Sequence, residues 1–272
     1  LLEDPHHADL GSVAIRPMDD GLWARAAAVF PRYLTEGGFP EVWGLPDWEH
    51  KVEYLYDNQV RKVIYEDLVL AAEFRKPEQL KRFYLSLLER PGQEINLSKL
   101  ARETGIMVAQ LERYLPLLEM TDLLAHIEKF RKSPLRVRRG NVKFYLVDLA
   151  LRNAVLRIQP DGLLADEKML GLYAENLAFG VLTRIRGKLA LDYYREKSGE
   201  VDFVLHVGAR RYLPVEIKYV SHINDGDVAP VRRFMNAFGA PVGILVTRNR
   251  EDFGMRNGIL HLPLLHFLLL LG

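Results

Sequence analysis

The sequence predicts a mixed α and α/β protein, with a helical N-terminal segment, a winged helix-turn-helix and a C-terminal α/β domain. Two observations lead to this fold class. Apolar residues recur at helical spacing through the first half of the chain, and later they follow one long helix and several short strand-like runs. We therefore expect a helical segment over residues 1–75, a winged-helix domain over 76–160 and an α/β domain over 161–272.

The composition is that of an ordinary globular protein. The 272 residues are 49% hydrophobic and 27% charged, which excludes wholesale disorder, collagen and coiled coil. The 37 basic and 36 acidic residues give a formal net charge of +1, so the total charge makes no case for nucleic acid, although it is compatible with a local basic patch. The absence of cysteine excludes disulfides and cysteine-based metal sites, and it fits a cytoplasmic location.

The two ends of the chain add further expectations. The chain begins at Leu1 rather than Met and shows no basic stretch followed by an apolar core, so we expect no signal peptide and a processed or truncated chain. The apolar run over 260–271 is shorter than the roughly 20 residues needed to span a bilayer, and Pro263 interrupts it. We expect a final strand and helix buried in a core, and no membrane partner.

The first segment reads as helices with a loop between them. Apolar spacing predicts a helix over residues 22–34, which Gly37 and Gly38 end and which Pro40 prevents from continuing. A second apolar stripe predicts a helix over residues 48–70. This segment is too small to be a convincing domain by itself.

The second segment has the pattern of a winged helix. After a helix near residues 80–88, a short helix over 97–104 is followed by Gly105, where a left-handed residue is needed, and by another helix over 108–118. Two strand-like runs come next, Leu123–Ile127 and Lys143–Val147. A helix-turn-helix followed by two strands predicts a winged helix.

A dense basic stretch joins those two strands. It contains one acidic residue, Glu128, and seven basic residues: Lys129, Arg131, Lys132, Arg136, Arg138, Arg139 and Lys143. This basic wing could lie on phosphates and bind DNA in a salt-dependent way. The second helix carries a mixed set, Gln110, Glu112 and Arg113, rather than a basic face. Protein contacts, with a merely solvated wing, are therefore the open alternative.

The third segment predicts an α/β domain. Its pattern is a long helix, three strands, a second helix, a further strand and the apolar tail. The predicted limits are 168–185 and 231–238 for the helices and 189–194, 201–207, 212–219 and 242–247 for the strands.

Charged residues inside two of these strands carry the chemistry. Asp202 lies among Val and Phe, while Glu216 and Lys218 share one face of the next strand because side chains alternate. Burying such groups is costly unless they pair or hold a metal. Two converging carboxylates would bind Mg²⁺ through oxygen, and Lys218 could position or deprotonate the attacking water. Glu175 on the preceding helix could complete the acidic set. The alternative is a structural network of ion pairs without catalysis.

The order Asp202, then Glu216-Ile217-Lys218 one strand later, resembles the PD-(D/E)xK nuclease superfamily with its restriction-endonuclease-like fold. The resemblance implies that Asp202 and Glu216 are metal ligands, that Lys218 is the catalytic lysine and that Glu175 is an auxiliary acid. The sequence departs from the pattern in one respect, because Val201 rather than proline precedes Asp202.

A wider resemblance covers nearly the whole chain. The ordered motifs are residues 33–42 with Gly37-Gly38-Phe39-Pro40, residues 65–68, the helix-turn-helix, residues 143–148, Glu175-Asn176, residues 200–204 and residues 215–218. Together they resemble the C-terminal portion of prokaryotic AAA+ ATPases of the archaeal-ATPase type, from the end of the ATPase lid onward. The resemblance implies a P-loop ATPase module that these residues lack, a winged helix and a nuclease-like domain of unknown function.

No Gly-x-x-x-x-Gly-Lys-[Ser/Thr] motif occurs in the sequence, so the phosphate cradle of an ATPase is absent. We expect no ATP hydrolysis by this chain alone, and ATP only through the ATPase module. The leading hypothesis is a nucleic-acid-binding module with a candidate Mg²⁺-dependent nuclease site. The alternative is an inactive protein-interaction module that couples the state of the ATPase to a partner.

Overall fold

The computed structural model has the mixed α and β content that the sequence predicts. It describes five stretches of the chain: residues 16–67, 77–131, 142–184, 189–197 and 199–271. The chain divides into two compact units. The first unit takes residues 1–28, 127–139 and 170–272, and the second takes 29–126 and 140–169.

The N-terminal part is helical, as expected. Its helices are α1 (Asp20–Glu36), α2 (Pro40–Trp43), α3 (Trp48–Leu55) and α4 (Pro77–Leu88). The predicted helix over residues 48–70 begins at the expected residue, but from Tyr56 it continues as two π-helical turns, Tyr56–Arg61 and Val63–Asp67. Residues 68–70 of that prediction lie outside the described stretches.

The Gly-Gly pair ends α1 by a specific contact. Gly37 has a φ of 74°, and the amide of Gly38 donates a 2.7 Å hydrogen bond to Oδ2 of Asp148. The other oxygen of Asp148 accepts from the amide of Ala150 at the start of helix α7 (Leu149–Val155). Asn153 of the same helix donates from Nδ2 to the carbonyl of Thr35, at 2.9 Å. The end of α1 is thus fastened to residues far away in the sequence.

The two helices of the predicted helix-turn-helix are present. They are α5 (Leu97–Thr104) and α6 (Val108–Met120), joined by Gly105, whose φ of 68° confirms the left-handed position. Strands β2 (Leu124–Lys129) and β3 (Val142–Leu146) follow, close to their predicted limits.

Three short elements of this region are not in the sequence prediction. Strand β1 (Glu94–Ile95) pairs antiparallel with β3. Helices α7 and α8 (Pro160–Ala165) come after β3 in the chain. A two-residue strand and helices of seven and six residues are too short to show a period.

The first unit contains the α/β domain, whose elements follow the predicted order with two exceptions. The short strand Gly254–Arg256 is not in the sequence prediction, and the second helix begins at Asp225 rather than at residue 231. The elements are α9 (Glu167–Arg184), β4 (Ala190–Glu196), β5 (Gly199–Gly208), β6 (Arg211–Lys218), α10 (Asp225–Phe238), β7 (Gly243–Thr247), β8 (Gly254–Arg256), β9 (Ile259–Pro263) and α11 (Leu264–Leu271). The expected final strand and helix are therefore β9 and α11. Leu264 and Phe267 of α11 are buried, whereas Leu269 and Leu270 are half exposed.

The sheet of this unit combines antiparallel and parallel pairing. Strands β4, β5 and β6 form an antiparallel meander, and β6, β7 and β9 run parallel. On the other side of the meander, the end of β2 pairs parallel with β4, so that Glu128 lies opposite Asp192. The neighbours lie in the order β2-β4-β5-β6-β7-β9-β8.

Helix α10 covers one face of this sheet. Two buried residues of the helix, Val228 and Val231, pack with Leu245 of β7 and Ile259 of β9. A second cluster places Phe130, just after β2, among residues of β5, β6 and α10: Val201, Val204, Tyr212 and Phe234. Among the described residues, no helix is long and apolar enough to cross a membrane.

Candidate active site

The candidate site lies where parallel strands end. Lys218 is the last residue of β6 and Thr247 is the last residue of β7, and the two are register partners. Asp202 approaches from the neighbouring antiparallel strand β5. Ligands of open α/β sheets bind outside the carboxyl ends of parallel strands, so this edge is a favourable location for a functional site.

The two carboxylates that the sequence singled out lie side by side. The amide of Ile217 donates a 2.9 Å hydrogen bond to Oδ2 of Asp202, and the amide of Asp202 donates a 3.2 Å hydrogen bond to Oε2 of Glu216. Both residues are buried, with relative exposures of 8% and 3%. The reciprocal hydrogen bonds fix each carboxylate against the backbone of the other strand.

An irregularity in β5 accompanies this arrangement. The pairing of β4 with β5 passes from Asp192–Val204 to Tyr194–Val201, so β5 uses one residue more than β4. The extra residue forms a β-bulge in the stretch that contains Asp202. Bulges re-aim side chains and are frequent beside active sites. The sequence carries a weak signal of this bulge. Val201 and Val204 are both apolar but lie three residues apart, which interrupts the alternation of a regular strand.

The third predicted residue completes the site. Nζ of Lys218 lies 2.7 Å from Oε1 of Glu216, and the lysine side chain is 31% exposed. Burial and the Asp202 carboxylate raise the pKa of Glu216 to about 8, although Lys218 opposes this effect. Burial lowers the pKa of Lys218, but the carboxylates of Glu216, Asp202 and Asp227 together outweigh burial and the net pKa is raised. Lys218 is therefore a cation at neutral pH.

The chemistry of these donors fits a hard divalent cation. Mg²⁺ keeps several of its waters and is commonly bound by one or two carboxylates. When both carboxyl groups are ionised, two carboxylates and one ammonium leave an excess negative charge in a buried site, and a divalent cation would compensate it. The described stretches contain no group of three or more His, Cys, Asp or Glu side chains arranged to hold a metal. A cation here would thus depend on Asp202, Glu216 and water.

Glu175 lies half-buried in α9. It precedes Phe179 by one helical turn, and Phe179 packs against Phe203 of β5 with ring centroids 6.3 Å apart. Residues four apart share one helix face, so Glu175 lies on the side of α9 that faces β5. Its role as an auxiliary acid stays a prediction.

Two further residues neighbour the site: Asp227, for which the sequence favours a solvated turn over a metal role, and Thr247, which sequence reasoning missed. Asp227, in the first turn of α10, contributes electrostatically to the raised pKa of Lys218. Its Oδ2 also accepts from the amide of Asn224, in a capping box that begins α10. The second neighbour is Thr247, which is completely buried. A threonine that ends an apolar strand is the one sequence signal that could have indicated it.

The basic wing is only partly described. Lys132, Arg136, Arg138 and Arg139 lie outside the described residues. Of the others, Lys129 forms a 3.3 Å ion pair with Glu196, Arg131 is half-buried, and Lys143 is buried in β3. Because Lys143 is only 2% exposed, it is not positioned to contact a phosphate.

The surface of α6 is not basic. Glu112 and Arg113 are both exposed, so their charges offset one another. Two methionines at the ends of the helix, Met107 and Met120, are 67% and 78% exposed. This surface is as suitable for a protein contact as for the major groove of DNA.

Comparison with known families divides the chain in a similar way. Residues 28–162 match a domain of unknown function, DUF8612, and residues 170–267 match another domain of unknown function, DUF4143. The chain is a mixed α/β protein, and two of its regions are similar to domains of unknown function. The second of these is a domain found in AAA-ATPase-associated proteins. No curated protein and no solved structure matches the chain.

Proposed function

We propose that the DUF4143 region carries a divalent-cation-dependent nuclease site formed by Asp202, Glu216 and Lys218. The observation that supports this proposal is the pair of buried carboxylates on adjacent strands, joined by reciprocal backbone hydrogen bonds, with the Lys218 ammonium 2.7 Å from Glu216. The matching order of elements and the position at the carboxyl ends of parallel strands add to it.

Each residue of the site has a distinct role in the proposed chemistry. Asp202 and Glu216 would hold the cation, which when bound polarises a phosphate and lowers the pKa of a bound water. Burial lowers the pKa of Lys218, but without a bound cation the neighbouring carboxylates raise it overall, so the lysine is protonated in the metal-free site. As a cation, Lys218 would stabilise negative charge that develops on a phosphate oxygen. Glu175 is proposed as an auxiliary acid.

The proposal includes the setting of this site. The chain would be the C-terminal region of an AAA+ ATPase of the archaeal-ATPase type, with DUF8612 as its winged-helix part. The basic wing would supply non-specific contacts to DNA phosphates through Lys129, Arg131, Lys132, Arg136, Arg138 and Arg139. The ATPase module would act as the partner that binds ATP.

A cleavage assay tests the enzymatic part. The chain is incubated with single-stranded and double-stranded DNA and with RNA, with Mg²⁺, with Mn²⁺ and with chelator. We expect cation-dependent cleavage that Asp202→Ala abolishes and Lys218→Met reduces at least about a hundredfold. Arg232→Ala, an exposed substitution on α10, is the matched control. No cleavage by the wild type, or unchanged cleavage by Asp202→Ala, would contradict the proposal.

One observation favours a second function. The carboxylates already have backbone and lysine partners, and the described residues offer no third metal-binding group. These features also fit an inactive scaffold, with the exposed methionines of α6 as part of a protein-binding surface. Salt-titrated binding of DNA separates the two functions. A steep loss of affinity with salt supports the nucleic-acid module, and no binding supports the interaction module.

A further inference from the structure

Thr247 is a buried polar residue without a partner. It is 0% exposed, and among the described residues its Oγ1 forms no hydrogen bond. A buried hydroxyl group that lacks a partner destabilises the folded state, because it has lost its hydrogen bonds to water. Valine has the same shape without the hydroxyl group. The presence of threonine at this position therefore calls for a partner that arrives in another state of the site.

The register of the sheet places one candidate for this partner beside Thr247. Thr247 of β7 and Lys218 of β6 are Cα partners in parallel strands. Paired residues on neighbouring strands lie about 4.8 Å apart and point to the same face of the sheet. The flexible stem of Lys218 carries three N–H donors, so its ammonium group can reach the hydroxyl group of its neighbour by a change of rotamer.

The present arrangement of Lys218 conflicts with cation binding. Its ammonium group occupies Oε1 of Glu216 at 2.7 Å, and Oε2 of the same carboxylate accepts from the amide of Asp202. A cation bound by Glu216 competes for one of these oxygens and repels the ammonium group. This repulsion favours a move of Lys218 to another acceptor. Asp227 is one alternative, but its Oδ2 is engaged in the capping box of α10.

We propose that Thr247 is a positioning residue for Lys218: its hydroxyl group accepts a hydrogen bond from the ammonium group when the Glu216 carboxylate turns to a cation. The inference rests on the proposed cation site for its function. Thr247 keeps the lysine beside the site in the loaded state and prevents it from competing for Glu216. The Glu216 carboxylate can therefore exchange its contact with Lys218 for a cation at a low cost in free energy.

A mutant cycle without metal tests the hydrogen bond itself. Glu216→Met removes the acceptor that Lys218 now uses and preserves the length of the side chain. In this background Lys218 turns to Thr247, so Thr247→Val is expected to raise the equilibrium constant of unfolding about tenfold. In the wild-type background Thr247→Val leaves that constant unchanged or lowers it. Thr247→Ser, which keeps the hydroxyl group, is the control and has the same effect in both backgrounds.

Denaturant titration in chelator measures all variants of the cycle. An equal effect of Thr247→Val in both backgrounds overturns the inference, and it is also the result expected if Lys218 turns to Asp227 instead. If Glu216→Met does not fold, Mn²⁺ titration decides: Thr247→Val should weaken binding about tenfold and Thr247→Ser should not. Absence of Mn²⁺ binding by the wild type overturns the proposed function and the inference that rests on it, whereas equal Mn²⁺ affinity of wild type and Thr247→Val overturns the inference alone.

Discussion

Glu216 is the residue whose environment most constrains the chemistry of the site. It is 3% exposed, it lies beside another carboxylate, and its single ammonium partner is the partly exposed Lys218. Burial and Asp202 together raise its pKa from an ordinary value of 4.5 to about 8. A carboxyl group with such a pKa holds a proton at neutral pH unless a cation replaces it.

This pKa predicts a pH dependence of stability in the absence of metal. The folded state keeps its proton between pH 4.5 and about 8, whereas the unfolded state releases it. Stability contributed by Glu216 is therefore complete below the lower value and is lost as the pH rises through the higher one, at up to about 1.4 kcal/mol per pH unit. Glu216→Gln removes this dependence, so its free energy of unfolding relative to wild type should rise with pH.

Denaturant titrations in chelator at about pH 5 and about pH 9 measure the difference. A free-energy difference between the two proteins that stays constant with pH would show that the pKa of Glu216 is not raised in the folded protein.

The residues of the site were accessible to sequence analysis to different degrees. Glu216 and Lys218 share a strand, so the period of two suffices to place them on one face. Asp202 could be expected nearby, but its hydrogen bonds depend on a bulge that pairing with β4 creates. Thr247 lies on another strand after an intervening helix, and its only local signal is that it ends an apolar strand. Only the pairing of β7 with β6 in the folded sheet places Thr247 beside Lys218.

At the scale of elements, the end of α1 is fastened by a close backbone approach. Gly37 has a φ of 74°, and a Cβ at this position would collide with the carboxylate of Asp148 and lie 2.7 Å from Cβ of Ala150. Gly37 is therefore required for more than the end of a helix, because it lets the chain contact the beginning of α7.

Gly37→Ala is accordingly expected to destabilise the protein by about 2–4 kcal/mol through strain and the loss of this contact. Gly171→Ala is the matched control, since Gly171 lies inside α9 and a Cβ there meets nothing within 4 Å. The control should be neutral or stabilise by about 0.5–1 kcal/mol. Thermal and denaturant unfolding of both variants provide the measurement, and equal stability of the two would contradict the account.

The elements predicted best are those with a clear period and sufficient length. The helix Glu167–Arg184 and the strands of the α/β domain lie close to their predicted limits. The parallel pairing of β2 with β4 was not predictable, because strands distant in sequence carry no local signal of their pairing. For the same reason Phe130, which follows a strand of the predicted winged helix, was not expected in the core beneath α10.

At the scale of the whole molecule, the net charge of +1 conceals a basic wing and an acidic site. If the wing lies on DNA, each neutralised phosphate contributes about −0.9 to the slope of log affinity against log salt. Replacing Arg136, Arg138 and Arg139 by alanine should therefore reduce the magnitude of the slope by about 2.7. Alanine at the exposed pair Arg61 and Lys62 is the control.

Fluorescence anisotropy of a labelled duplex over a range of salt concentrations measures these slopes. The same slope for the wing variant and the wild type would exclude the wing as the phosphate contact and would favour the protein-interaction module.

Anomalous diffraction from crystals soaked in Mn²⁺ shows whether a cation binds between the carboxylates of Asp202 and Glu216. We expect one peak there in the wild type and no peak in Asp202→Asn, whose amide is a poor ligand for a hard cation. A wild-type crystal without density between these two side chains would contradict the claim that they form a cation site.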